Sequence, residues 1–359
     1  MADELRALSR LAFAELGGAV GGVEAVHRAI ARRALAGPAH AAIAGGVYAA
    51  VRGGTWAAGR AADAALSLRR PGPPLSSSVR GAAALAALNG LIGDTLEGND
   101  LEQTMSVRSM EGSSGHVVVF VHGLFETEHA WSLGGRETYG ARLVRDLGCS
   151  SVFVRFNSGR RVSANGRSLA ALLDSVVESW PVEVERISLV GHSMGGLVAR
   201  SACHAGGSWT ESVRHVVSLG SPHTGAPLEE AVHLAGAALA AVPETRPFAG
   251  LLRRRSGGIR DMRRGSLVDE DWLDRDPDAL RAAARREVPL LDGATHCFVS
   301  ATVTRDPSHP VARLIGDWLV LEPSASHRAQ ESLHVGGAHH LALLNHPRVY
   351  ERLRAWLAS

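Results

Sequence analysis

The chain has 359 residues, 45% of them hydrophobic, and a formal net charge of +2: enough apolar material for one large domain with an appendage, and too apolar for general disorder. All 38 basic residues are Arg, scattered among 36 acidic ones with no basic stripe interleaved with aromatics, which argues against a nucleic-acid partner. Cys149, Cys203 and Cys297 form no C-x-x-C pair and read as buried thiols of a reduced compartment, and the early acidic residues Asp3 and Glu4 do not suit a cleaved secretion signal, so a cytoplasmic protein is expected.

Residues 1 to about 70 are rich in Ala, Gly and Arg, and Leu5, Leu8, Ala12, Leu16, Val23, Val26 and Ile30 recur near helical spacing, which predicts several helices. Gly17 with Gly21, and Gly18 with Gly22, stand four residues apart and predict close helix contact, and Trp56 is expected in the core. The run Ala34 to Val51 is Ala/Gly-rich and interrupted by Pro38 and His40, a poor membrane span. Reversible attachment to a membrane surface, or docking on the rest of the chain or on a second subunit of an oligomer, suits these helices better. A Pro- and Ser-rich break at Arg69 to Ser78 precedes another helical stretch, Val79 to Leu96. Residues 1–100 are thus expected as an N-terminal helical region and 101–359 as a second domain.

From about residue 101 short β-rich runs alternate with helical ones, the rhythm of an α/β fold with a mostly parallel central sheet. Strands are predicted near Gln103–Val107, His116–Val121, Ser151–Phe156, Arg186–Val190, Val213–Leu219, His296–Ala301 and Glu331–Val335. The continuous apolar runs within His116–Val121 and Val213–Leu219 suit interior strands buried on both faces. The interval 227–289 breaks the rhythm with an apolar, helix-like piece, Ala231 to Val242, and reads as a helical lid or cap inserted at the sheet's C-terminal edge.

Within this pattern, Ile187 to Gly196 reads as a strand running into a glycine-flanked serine and then a helix, the shape of a nucleophile elbow. Gly-x-Ser-x-Gly is weak evidence in a chain with 40 glycines, so the apolar strand before it and the helix-forming Gly196 to Ala202 after it carry the reading. At Gly191 and Gly195 a Cβ would collide with neighbouring strand and helix backbone.

A serine hydroxyl is a weak nucleophile at neutral pH and needs a histidine to take its proton and a carboxylate to orient that histidine. The C-terminal third offers both. Asp317 lies in Leu314 to Val320, where a loop would bring it over the sheet; Asp306, the competitor, precedes Pro307 and reads as a turn starter. His339 and His340 are adjacent, and the residues alone do not choose between them. His346, beside Pro347 at the start of a last helix, reads as a cap. One oxyanion donor should be the backbone N–H of Met194, and His122-Gly123 at a strand end lets the N–H of Leu124 serve as the other.

This set resembles the α/β-hydrolase lipases and carboxylesterases, particularly those with a His-Gly-Leu oxyanion loop and a Gly-His-Ser-Met-Gly-Gly elbow, over roughly residues 101 to 359. Ser221 to Pro227 is similar to a segment that leads into the lid in triacylglycerol lipases and inositol-deacylase-like lipases. Gly316 to Val320 resembles their acid loop, although Trp318 stands where the family usually has glycine. His340 to Leu344 resembles the family's histidine with its apolar continuation, which selects His340 over His339. The resemblance carries nothing to residues 1–100.

It implies an α/β-hydrolase fold and a serine ester hydrolase acting on a hydrophobic carboxylic ester, with Ser193, His340 and Asp317 as triad and Leu124 and Met194 as oxyanion donors. Phe125, His192 and Trp318 are the expected substrate-lining residues. No cofactor or metal is called for, since the histidines lack H-E-x-x-H spacing. The same machinery would serve a thioesterase, amidase or acyltransferase. A catalytically silent lipid-binding or scaffold module is the alternative outside the enzymes.

Overall fold

The computed structural model describes residues 3–33, 37–69, 72–225, 255–275, 285–306, 317, 320 and 330–359. The chain forms two compact units. One comprises residues up to Leu85 together with Leu96–Glu102; the other comprises Ala86–Thr95, the described residues from Gln103 to Gly225, and those from Ser256 onward.

The first unit is built on a helical hairpin, α1 (Glu4–Arg33) and α2 (Pro38–Ser67). Contacts pair early residues of one helix with late residues of the other, so the two run antiparallel. Arg6 grips the Asp63 carboxylate through two nitrogens at 2.6 and 2.8 Å, Phe13 lies against Gly59, Glu24 bridges Arg28 and Arg52, and His27 Nδ1 is 3.1 Å from the Tyr48 hydroxyl. Two expectations fail here. Gly17, Gly18 and Gly21 face open space, so the close approach is made at Gly59 instead. Trp56 is 69% exposed rather than in the core, with the Arg60 guanidinium over its ring. Ile43, Val47 and Val51, one helical turn apart, are exposed as well. No described helix is long and apolar enough to cross a membrane. Helix α3 (Val79–Ile92) ends four residues short of the expected Leu96, in a 3-10 turn at Gly93–Thr95.

The second unit holds a seven-stranded sheet in the order β1-β3-β2-β4-β5-β6-β7, formed by Ser106–Glu111, Ser150–Arg155, His116–Val121, Arg186–His192, Val213–Leu219, Thr295–Thr302 and Glu331–Gly336. Only β1 is antiparallel to its neighbour; all other pairings are parallel. Every residue of β2 is buried, because successive side chains feed opposite layers. Val117, Val119 and Val121 join a core with α5 (Val162–Ser179) and α6 (Met194–Ala205), while Val118 and Phe120 join one with α4 (Tyr139–Leu147) and the last helix, α8 (Pro347–Leu357). His346 caps α8 as expected, its Nδ1 accepting from the Arg348 N–H at 3.2 Å, and all three cysteines are free and buried.

This strand order places the site. β3 lies on one side of β2 and β4 on the other, so the chain changes its direction of travel across the sheet between β2 and β4. Loops leaving the C-terminal ends of these two strands diverge, the position at which open α/β sheets leave a crevice.

Candidate active site

Ser193 sits at that crevice, between β4 and α6, with φ +52° and ψ −121°. This is a conformation that L residues rarely adopt, held here by the packing around it. Its N–H donates to the Leu219 carbonyl at 2.8 Å, and its side chain makes no capping hydrogen bond, which leaves the hydroxyl uncommitted to the helix it precedes. The flanking glycines are required by space: a Cβ on Gly191 would lie 2.4 Å from Gly195 and Gly196 backbone atoms, and one on Gly195 would lie 2.1 Å from the Val121 carbonyl oxygen. The elbow is therefore wedged between the end of β2 and the first turn of α6. Met194 opens α6, so its N–H lies at the positive end of the helix.

The loops after β6 and β7 bring a carboxylate and an imidazole together. His340 Nδ1 is 2.7 Å from Asp317 Oδ2, and both residues are buried. The pair is fixed at the backbone, with the His340 N–H donating to the Asp317 carbonyl at 3.0 Å, and the Val320 N–H donating to Asp317 Oδ1 at 2.8 Å. Gly220, at φ +63°, passes so close that a Cβ would reach within 3.1 Å of the His340 ring. Nε2 of His340 is buried and has no hydrogen-bond partner among the described residues. An imidazole whose Nδ1 proton is held by a carboxylate presents a basic lone pair at Nε2. His339 is exposed, and so is Asp306.

The loop after β2 approaches Ser193 from the other side: a Cβ on Gly123 would lie 2.9 Å from the Ser193 Cβ. His122, fully buried, shapes this turn. Its Nδ1 faces the Gly123 carbonyl at 2.8 Å and its Nε2 accepts the Phe156 N–H at 3.2 Å, an arrangement that needs the neutral ring protonated on Nδ1. Burial, the largest influence, lowers its pKa in the same sense. Leu124 follows, partly buried against the α5/α6 core, and Phe125 is held at φ +64° by a hydrogen bond from its N–H to Ser158 Oγ, with its ring against Gly90.

The structure thus gathers Ser193, Met194, Gly123 and Leu124 around the β2/β4 crevice, and joins Asp317 to His340 at the ends of β6 and β7. Phe125, 42% exposed, is open to a ligand. His192 is the correction: it has no exposed surface and both of its ring nitrogens are engaged by protein groups, so it has no face left for a substrate. Trp318 lies outside the described residues, as does the apolar stretch Ala231 to Val242 of the expected lid. The described part of that interval includes α7 (Gly257–Arg264), whose Asp261 accepts from the Val162 N–H at 2.8 Å and from Arg161 at 2.7 Å, and whose Gly258 lies against the end of the Met194 side chain.

Sequence reasoning missed Glu126. Its carboxylate accepts the Gly123 N–H at 2.7 Å and lies 2.9 Å from His192 Nδ1. The one local signal was an acidic side chain three residues after Gly123, within reach of its N–H.

Residues 112–238, about a third of the chain, match a protein family described as a PGAP1-like alpha/beta domain. No curated protein matches the chain. Among solved structures, a lipase of Bacillus licheniformis in its mature form is 19% identical, with a TM-score of 0.46 over 71% of this chain and 97% of that one. An esterase of Pyrococcus furiosus is 15% identical, with a TM-score of 0.41 over 71% and 88%, and a metagenomic carboxyl esterase is 21% identical, with a TM-score of 0.39 over 65% and 67%. The sheet order, the sharp turn at Ser193 after β4 and the matched domain define an α/β-hydrolase fold.

Proposed function

We propose that this chain is a serine-dependent hydrolase of hydrophobic carboxylic esters, working through an acyl-enzyme on Ser193. The observation that carries the reading is the Ser193 turn, with its strained φ and uncommitted hydroxyl, in the same unit as a buried Asp317–His340 pair whose outer nitrogen has no partner among the described residues. In this scheme Ser193 Oγ attacks the ester carbonyl carbon while its proton passes to His340 Nε2. The negative oxygen of the tetrahedral intermediate takes hydrogen bonds from the Leu124 and Met194 N–H groups. The alcohol leaves with the proton from His340, and water then repeats the sequence to release the acid. Asp317 holds the ring in the required tautomer and stabilises the imidazolium. Phe125 is assigned to the acyl side of the site, and Trp318 is a further candidate there.

The test is covalent. An alkyl fluorophosphonate, which transfers its phosphonyl group to an activated serine, should add one mass increment to the wild-type chain, at Ser193, and none to Ser193→Ala. Adduct formation at another residue, or equal labelling of both proteins, would remove Ser193 from its role. We further propose a cytoplasmic enzyme held reversibly at a membrane surface by the N-terminal hairpin, on the strength of the exposed apolar residues of α2.

A further inference from the structure

Glu126, largely buried, and His192, fully buried, form a pair that the reaction scheme leaves unused. The carboxylate occupies the turn after β2, where it accepts the Gly123 N–H, and faces His192 Nδ1 at 2.9 Å. His192 Nε2 is 3.3 Å from the backbone carbonyl of His340. Both neighbours of the ring are therefore acceptors. A neutral imidazole carries one N–H and can serve only one of them; the imidazolium serves both. His122, equally buried one strand away, faces one acceptor and one donor and needs the neutral form. Burial taken alone would discharge both members of the Glu126–His192 pair. Their mutual attraction and hydrogen bonding overcome it, holding the His192 pKa above and the Glu126 pKa below their ordinary values.

We propose that Glu126 and the His192 imidazolium act as a positioning clasp, fastening the loop that carries the Leu124 N–H to the strand that carries Ser193 and to the backbone of His340. This inference rests on the hydrolase reading. The clasp bears on catalysis through two contacts. Gly123, whose N–H Glu126 holds, lies against the Ser193 side chain, so the loop cannot shift without moving the oxyanion donor relative to the nucleophile. The His192 and His340 rings are 4.7 Å apart, and His192 donates to the very residue that carries the general base. The titratable groups facing the clasp are His122 from the turn after β2 and Asp317 and His340 from the loops after β6 and β7.

Glu126→Gln tests it by keeping an acceptor for Gly123 while removing the charge that His192 requires. Turnover of a soluble p-nitrophenyl ester should fall at least tenfold in kcat, with KM unchanged within about twofold, because the loss concerns the geometry of the transition state. A merely structural role would not set the charge of His192, which 15N-histidine NMR of the intact protein reads directly. The His192 signals, assigned by their disappearance in His192→Gln, should show two protonated ring nitrogens at pH 8 in the wild type and one in Glu126→Gln. A neutral His192 in the wild type at pH 8 overturns the clasp, and that measurement stands even if the Gln variant does not fold. A Gln variant with kcat within twofold of wild type overturns it as well. Failure of the hydrolase reading would show differently, as wild-type turnover that survives Ser193→Ala, which the ring signals do not report.

Discussion

At the residue scale, the site depends on matching each buried polar group to one protonation state. His122 and His192 are both fully buried and differ only in what surrounds them, a carbonyl and an N–H in one case and a carboxylate and a carbonyl in the other. In the proposed scheme Asp317 fixes the tautomer of a neutral His340, whereas Glu126 faces an imidazolium at His192, and Asp317→Asn should impose the wrong tautomer on His340. We expect kcat to fall by roughly 10³–10⁴-fold with little change in KM, measured on a soluble ester. Loss of less than tenfold would mean that Asp317 does not orient the base. The two glycines beside Ser193 could be read from sequence because the constraint on them is local: strand, turn and helix meet within five residues. Glu126 could not, since its partner His192 lies 66 residues away and nothing in Phe125-Glu126-Thr127-Glu128 distinguishes an inward carboxylate from an outward one.

At the scale of elements, β2 and β5 run over the residues that the apolar runs predict, and the other parallel strands differ by one or two residues at their ends. Strand β1 begins at Ser106 rather than Gln103, because the Gln103 N–H is taken by the Asn89 side chain at 3.0 Å, a contact made 14 residues away that periodicity cannot show. Helix α3 stops before Gly93, whose carbonyl accepts from Asn157 Nδ2 at 2.8 Å, a contact made 64 residues away where the loop after β3 passes close enough to leave no room for a Cβ.

Two strand histidines make stability depend on pH. Burial pushes His116, the first residue of β2, and His296, in β6, down to about 4; His116 Nε2 meets Ser188 Oγ, and His296 Nε2 accepts the Leu291 N–H, a bond that a proton on Nε2 would destroy. Unfolded, each titrates near 6.5, so the folded state gives up protons that the unfolded state binds. Their contribution is complete above pH 6.5 and is lost as pH falls from 6.5 towards 4, at about 1–2 kcal/mol per histidine after allowance for solvent screening. Thermal unfolding followed between pH 7.5 and 4.5 should show this decline, with a shallower slope in His116→Asn and His296→Gln. An unchanged slope in both variants would assign the pH dependence to other groups. In the first turn of α6, Gly195→Ala should lower stability by about 1–3 kcal/mol or more, since the new methyl group would meet the Val121 carbonyl, a backbone atom that cannot rotate away. An unaltered melting temperature would show that the elbow can relax.

At the scale of the molecule, the alternation of β-rich and helical runs announces a layered α/β unit, because a parallel sheet covered on both faces needs apolar strands and crossover helices in turn. The N-terminal helices were harder to read. Their period is plain, but Ala and Gly suit a packed seam and an open surface equally, and so Trp56 and the Gly17 to Gly22 spacing pointed inward where the structure leaves Trp56, Gly17, Gly18 and Gly21 facing outward. If the hairpin rests on a membrane, the whole chain should sediment with phosphatidylglycerol-containing vesicles. The triple variant Ile43→Asn, Val47→Asn, Trp56→Ser should bind several-fold less while hydrolysing a soluble ester at the wild-type rate. Equal sedimentation of the two proteins would assign these side chains another role.

In the proposed scheme, ester hydrolysis depends on the Ser193 hydroxyl. The most direct test of this dependence is the release of p-nitrophenol from p-nitrophenyl esters of two to sixteen acyl carbons, by wild-type protein and by Ser193→Ala at matched concentration. Turnover by the wild type is expected on at least part of the series, with a loss of at least a thousandfold in the variant and its melting temperature retained. Equal rates from the two proteins, or none from a folded wild type across the whole series, would contradict the scheme.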